Sequence, residues 1–148
     1  LGYYFRMSEV NAAIGLCQLP KLNGIVEKRR AAHSAYVEAL KHIPFLRFQK
    51  ENGKSSCFGF TMILDGVPFS ATEVRLYLES KGIETRPIIC GNMARQPVMK
   101  KYKHRVFGNL ENATDVMDNG FSIGCHQDVT KSDVEHIAET MNAFVSHL

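Results

Sequence analysis

The stretch RPIICGNMARQP, residues 86–97, gathers side chains that can recognise an anion or a sugar. Asn92 can both donate and accept hydrogen bonds, and Arg95 can clasp a carboxylate or phosphate through two parallel N–H bonds. Gly91 lets backbone approach a neighbour closely. Arg86 opens the stretch and Gln96 closes it beside Pro97. Residue types alone leave a second reading open: a surface loop in which Arg95 pairs with a nearby acid.

Other chemistry-bearing residues are scattered. GYYFRMSE (2–9) sets aromatics and Arg6 just ahead of a helix start. A helix N-terminus carries unpaired N–H groups and partial positive charge, so Arg6 there suits an anion such as phosphate. His126 follows the apolar strand FSIGC, and strand ends are where α/β folds display functional groups. His33, His42, His136 and His147 fall within or at the ends of helices and read as surface residues. The run KKYKHR (100–105), with Tyr102 interleaved, suits loose phosphate-backbone binding or a solvated turn. With a net charge of only +3, nucleic acid is not the expected partner.

Cysteines 17, 57, 90 and 125 form no CxxC pair. Cys90 and Cys125 lie in apolar stretches and read as buried, reduced thiols. Cys125-His126 has no second ligand pair, so no metal site is expected. GxSxG, GxGxxG and the Walker pattern are all absent, which argues against a self-contained hydrolase or nucleotide-binding domain.

The elements that must position these residues follow from periodicity. Ser8 is a helix cap, and Val10, Ala13, Ile14 and Cys17 recur at helical spacing after it. Pro20 ends or kinks that helix, and a second one runs from about Lys21 to His42 with Leu22, Ile25, Tyr36 and Leu40 on its apolar side. FLRFQ (45–49) and CFGFTMIL (57–64) read as a hairpin with a long loop. Ser70 and Glu73 have capping-box spacing for a helix that ends at Gly82 in the left-handed C′ position. IETRPII reads as a short strand, LENATDVMDNG as a short helix and FSIGC as another strand. A final helix capped by Thr130 lines up Val134, Ile137, Met141, Phe144 and Val145.

These elements make a small α+β unit: a few-stranded sheet covered by helices, with a long helical arm at the N-terminus. At 148 residues and 45% apolar composition the chain is one domain's worth. No window approaches the roughly 18 apolar residues of a membrane span, and no signal peptide opens the sequence, so the expectation is a cytoplasmic protein with no membrane partner. The chain starts without Met, in the lead-in to a helix, and reads as a piece of something longer.

Three of these stretches resemble one family. GYYFRMSEVNAAIGLCQLPKL is similar to the pattern G-Y-N-x-R-M-(S/T)-(D/E)-x-x-A-A-(I/L)-G-x-x-Q-L of the nucleotide-sugar aminotransferases called the DegT family. RPIICGNMARQPVMKKY and ENATDVMDNGFSIGCHQDVT resemble that family's C-terminal part, in the same order. The resemblance implies a pyridoxal-phosphate (PLP) enzyme with the aspartate-aminotransferase fold, fold type I. In such an enzyme a large domain carries the cofactor lysine and a small C-terminal domain closes the cleft. Residues 1–43 would then be linking helices and 44–148 the small domain, with no catalytic lysine or histidine in this chain and no turnover by it alone.

Implied chemistry is amino transfer from glutamate to a nucleotide-linked 4-keto-6-deoxy sugar, or the related removal of its C3 hydroxyl, in surface-polysaccharide or deoxysugar biosynthesis by a homodimer. The GN-x-x-RQP form of the second motif looks closer to the dehydrase branch. Carried over by position, Tyr4 and Arg6 stand where the family contacts the PLP phosphate of the neighbouring subunit. Tyr4 departs from the family's Asn there: it is bulkier and has one donor where the amide has two. Asn92, Arg95 and Gln96 correspond to substrate-side loop residues, with Arg86 and His126 beside them. Without that resemblance, the residues would fit a stand-alone α+β module binding a small ligand or partner.

Overall fold

The computed structural model describes residues 6–146. Tyr4 and His147 therefore lie outside the described residues. Helix α1 (Glu9–Gln18) starts where Ser8 Oγ accepts from the Asn11 N–H at 3.3 Å. Pro20 kinks the chain through a 3-10 turn, Leu19–Lys21, before helix α2 (Leu22–Leu40). Strands β1 (Leu46–Phe48) and β2 (Gly59–Leu64) follow, then α3 (Ala71–Ser80) and β3 (Thr85–Pro87). Two further 3-10 turns, Met93–Arg95 and Pro97–Lys101, lead to α4 (Glu111–Asn119), β4 (Gly120–Gly124) and α5 (Lys131–Ser146).

The sheet has the order β1-β2-β4-β3 with every neighbouring pair antiparallel. Strand alternation divides it into two faces. Leu46, Phe60, Met62, Leu64, Thr85, Phe121 and Ile123 are buried, and all but Thr85 join Tyr36, Leu40, Val74, Leu78, Ile137 and Met141 in one core. Burying each such large side chain stabilises the fold by roughly 1.5–3 kcal/mol. Phe60 is its hub, with Tyr36 and Phe48 stacked at 5.1 and 5.4 Å between ring centroids. The opposite face carries Arg47, Thr61, Ile63 and Ser122, and α4 packs there against β2 and β4.

Local chemistry sets the helix ends as expected. Ser70 Oγ accepts from the Glu73 N–H at 3.2 Å, while Glu73 Oε2 accepts from the Ser70 N–H at 2.7 Å. Thr130 and Asp133 repeat this box at the start of α5, at 3.2 and 2.8 Å. Gly82, at φ +81°, closes α3 in a Schellman turn, its following N–H (Ile83) reaching back to the Leu78 carbonyl.

Three expectations need correction. Among the described residues the apolar positions of α1 are left uncovered: none of its residues is buried, and Val10 and Ile14 are mostly exposed. Leu22 is likewise exposed and Ile25 only half-buried, because α2 joins the core through its second half, at Ala32, Tyr36 and Leu40. Cys125 is buried as expected, but Cys90 is exposed, since it lies after β3 ends and outside the sheet.

Candidate functional site: a loop seated on helix α4

The segment that follows β3 is built onto α4 by three contacts. Gly91 has φ +51°, and a Cβ there would stand 2.5 Å from the Met117 Cβ, so only glycine permits this approach. Asn92 is buried; its Nδ2 donates to Thr114 Oγ1 at 2.9 Å, and its Oδ1 accepts from the Ala94 N–H at 3.0 Å. Arg95 Nη1 donates to both carboxylate oxygens of Asp118, at 2.8 and 2.7 Å. Thr114 and Asp118 are four residues apart and therefore share one face of α4. Gln96 folds its amide back onto the Cys90 carbonyl at 2.8 Å, closing the loop on itself.

Helix α4 is in turn fixed to the sheet. Arg47 on β1 contacts Asp65 at 3.1 Å and donates to Asp115. The Asn119 side-chain amide, donating at 2.8 Å, and then Arg47 hold the Asp115 carboxyl below the usual range. Gly120 begins β4 with no room for a side chain: a Cβ would meet the Val116 carbonyl at 2.3 Å and Ile88 at 2.8 Å. The loop, α4 and the polar sheet face thus form one braced unit.

The expected site residues divide into separate groups. Asn92, Arg95 and Gln96 share the loop on α4. Arg86 lies one strand over, opposite Ser122, where its guanidinium donates to Glu84 and, at 3.0 Å, to the Thr85 carbonyl. His126 lies beyond Gly124, at the opposite end of β4 from Gly120, with its Nδ1 accepting from the Asp128 N–H at 3.2 Å. Five strand residues at about 3.3 Å each separate the two ends, so His126 does not join the loop. Arg6 is exposed ahead of α1, a helix with no buried residue.

Thr114 and Asp118 were missed from sequence, although their four-residue spacing within ENATDVMDNG was the available signal. Two concavities lie elsewhere. One of about 390 Å³ sits between α2 and the β1–β2 loop at Arg30, His33, Glu51 and Cys57. A larger one of about 820 Å³ runs along Ala31, Ala35 and Ala39 of α2 beside Val129 and Val134. Neither is lined by an expected site residue.

The DegT/DnrJ/EryC1/StrS aminotransferase family model matches residues 1–142. The chain belongs to this family. It is 34% identical over 144 residues to GDP-4-keto-6-deoxy-D-mannose 3-dehydratase of Escherichia coli O55:H7 (strain CB9615 / EPEC), covering 95% of this chain and 37% of that protein. It is 35% identical over 128 residues to the GDP-4-keto-6-deoxy-D-mannose 3-dehydratase of Yersinia pseudotuberculosis, covering 85% and 33%. A crystal structure of GDP-4-keto-6-deoxymannose-3-dehydratase with a trapped PLP-glutamate geminal diamine superposes with a TM-score of 0.88 at 33% identity, over 95% of this chain and 37% of that one. The chain thus spans about a third of the length of these family members. Over that third it shares their α+β fold, the small four-stranded sheet and long N-terminal helical arm included.

Proposed function

We propose that this chain is the C-terminal portion of a PLP-dependent enzyme acting on a nucleotide-linked 4-keto-6-deoxy sugar, in surface-polysaccharide or deoxysugar biosynthesis. The observation that carries the reading is the agreement with two 3-dehydratases along most of the chain, at a TM-score of 0.88 with a structure of that enzyme. Those names favour removal of the C3 hydroxyl over transamination, in line with the GN-x-x-RQP loop. Glutamate is the amino donor in this reading, the working form is a homodimer, and the compartment is the cytoplasm. Residues 1–43 are read as the linking arm and 44–148 as the small domain.

The fit of PLP can be weighed against the residues described. Arg6, an exposed guanidinium ahead of an α1 that has no buried residue, has the donor chemistry for a phosphate. Neither described concavity offers Arg6 a neighbouring recess for a pyridine ring. Of the described residues, Arg6 fits the phosphate end of the cofactor. PLP, bound mainly by the large domain, supplies the electron sink for C–O or C–N bond chemistry at the sugar. Arg6, with Tyr4 beside it in sequence, anchors the phosphate. Arg95 and Gln96 face the sugar and Asn92 holds their loop on α4, with Arg86 one strand over as a further substrate-side residue; His126, at the far end of β4, is read as a substrate contact apart from that loop.

Reading the coding sequence upstream of Leu1 tests this proposal. A cofactor-binding domain in frame, with the lysine or histidine that decides between amination and dehydration, is the expected result. An in-frame start at or just before Leu1 would overturn it.

A further inference from the structure

The arginines of this chain differ in which edge of the guanidinium they spend. Arg30 gives Nε and Nη2 to the Ser55 and Lys54 carbonyls, at 2.9 and 2.5 Å. Arg47 gives the same edge to Asp65 and Asp115, and Arg75 gives it to Thr85 and Glu79. Arg86 spends Nη1 and Nη2, on the Thr85 carbonyl and Glu84. Arg95 spends only Nη1, which donates to both Asp118 oxygens at 2.8 and 2.7 Å. Its Nε–Nη2 edge, whose two parallel N–H bonds can grip a pair of oxygens, has no acceptor among the described residues.

The partner of Arg95 stands in an unfavourable place. Asp118 lies in the last turn of α4, where the partial negative charge of a helix end disfavours an acid, and that turn holds no basic residue. Both side chains are about half exposed, at 48% and 47%, so the pair adds little to stability. What it supplies is direction. The Arg95 backbone N–H donates to the Asn92 carbonyl at 3.1 Å, and the Asn92 side chain is bonded to Thr114 on the same face of α4 as Asp118. One helix therefore holds Arg95 at its backbone and at its tip, and the long side chain between them gives up its rotamer freedom.

We infer that Asp118 is a positioning residue that aims the free Nε–Nη2 edge of Arg95 at the sugar. Asp118 acts only through Arg95 and touches no reacting atom. Its charge opposes an anion at that edge, so the edge suits the uncharged hydroxyl and keto oxygens of a sugar. The inference rests on the nucleotide-sugar reading above and adds the residue that orients the arginine of the substrate loop.

A double-mutant cycle in the enzyme that joins this chain to its cofactor-binding domain tests the inference. Arg95→Ala should lower kcat/KM for a GDP-linked 4-keto-6-deoxy sugar at least tenfold, and Asp118→Ala about fivefold. Asp118→Glu, which keeps the carboxylate within reach, should recover to within about twofold of the parent. Asp118→Ala added to Arg95→Ala should lower it no further. A second readout needs neither cofactor nor turnover. In nitrogen relaxation of the 148-residue chain, the Arg95 Nε–H should be as rigid as the backbone amides of α4. In Asp118→Ala it should become as mobile as that of Arg105, an exposed arginine in no ion pair among the described residues. Circular dichroism melts confirm that these exposed variants fold. An Asp118→Ala loss that persists in full on the Arg95→Ala background overturns the inference, as does an Arg95 Nε–H that is mobile in the parent. Normal turnover by Arg95→Ala overturns it together with the sugar-facing reading of the loop. Failure of the enzyme reading would appear instead as the in-frame start described above, and the relaxation measurement would still decide whether Asp118 orients Arg95.

Discussion

The Asn92 side-chain amide donates to Thr114 Oγ1 at 2.9 Å, across twenty-two residues of sequence, from a position only 4% exposed to solvent. That bond makes Asn92 the peg that seats the loop on α4. Thr114→Val keeps the shape and removes the acceptor. It should cost about 1–3 kcal/mol in denaturant unfolding, because a buried amide proton loses its partner. A change within about 0.3 kcal/mol would mean that the loop is seated by something else.

Gly91 should tolerate no side chain. Alanine there combines a left-handed backbone with a Cβ inside contact distance of Met117. The strained backbone alone costs about 1–2 kcal/mol, and the chain must also shift away from α4. Faster proteolysis or hydrogen exchange confined to residues 88–101 is the expected signature. A Gly91→Ala variant as protected as the parent would contradict the close packing.

Arg95 and Asp118 are each about half exposed in their pair, so the bond contributes little to stability. Arg95→Ala is expected to change unfolding free energy by less than about 1 kcal/mol. In the enzyme that carries this chain, the same change should lower kcat/KM for the sugar substantially. Loss of stability with unchanged turnover would return Arg95 to a purely structural role.

Alkaline pH should loosen the core through two buried acids. Burial, with the nearby Cys125 and Asp133 charges, pushes the Tyr36 phenol up to about 12. Burial, with Cys57 and against Arg29, pushes the Cys125 thiol up to about 11. Both hold their protons more tightly folded than unfolded, where they titrate near 10 and 9. Their contribution is therefore complete below about pH 9 and is lost as pH rises through about 11 and 12. Tm should be flat to about pH 8.5 and fall steadily above about 9, with Cys125→Ala removing part of the slope between about 9 and 11. A Tm that held to about pH 11.5 would contradict this.

Local signals carried the fold a long way. The Ser70–Glu73 box, the Gly82 turn and the Thr130 cap are decided by residues within a few positions of one another, and the β1–β2 hairpin by two apolar stretches either side of one polar loop; each was readable. The polar loop, too, stood out by composition. Its tertiary partners did not, because Thr114 and Asp118 meet Asn92 and Arg95 only once α4 lies across the sheet. The separation of His126 from the loop was hidden for the same reason. It depends on β4 running from one end of the sheet to the other. The apolar spacing of α1 gave the correct helix and no indication that its apolar positions are left exposed among the described residues.

The most direct test of the account is turnover by the enzyme that joins this chain to its cofactor-binding domain, supplied with PLP, glutamate and a GDP-linked 4-keto-6-deoxy sugar. Mass spectrometry should show the sugar losing its C3 oxygen, with Arg95→Ala slowing that loss at least tenfold. A sugar returned unchanged, by a protein that binds no PLP, would contradict the account.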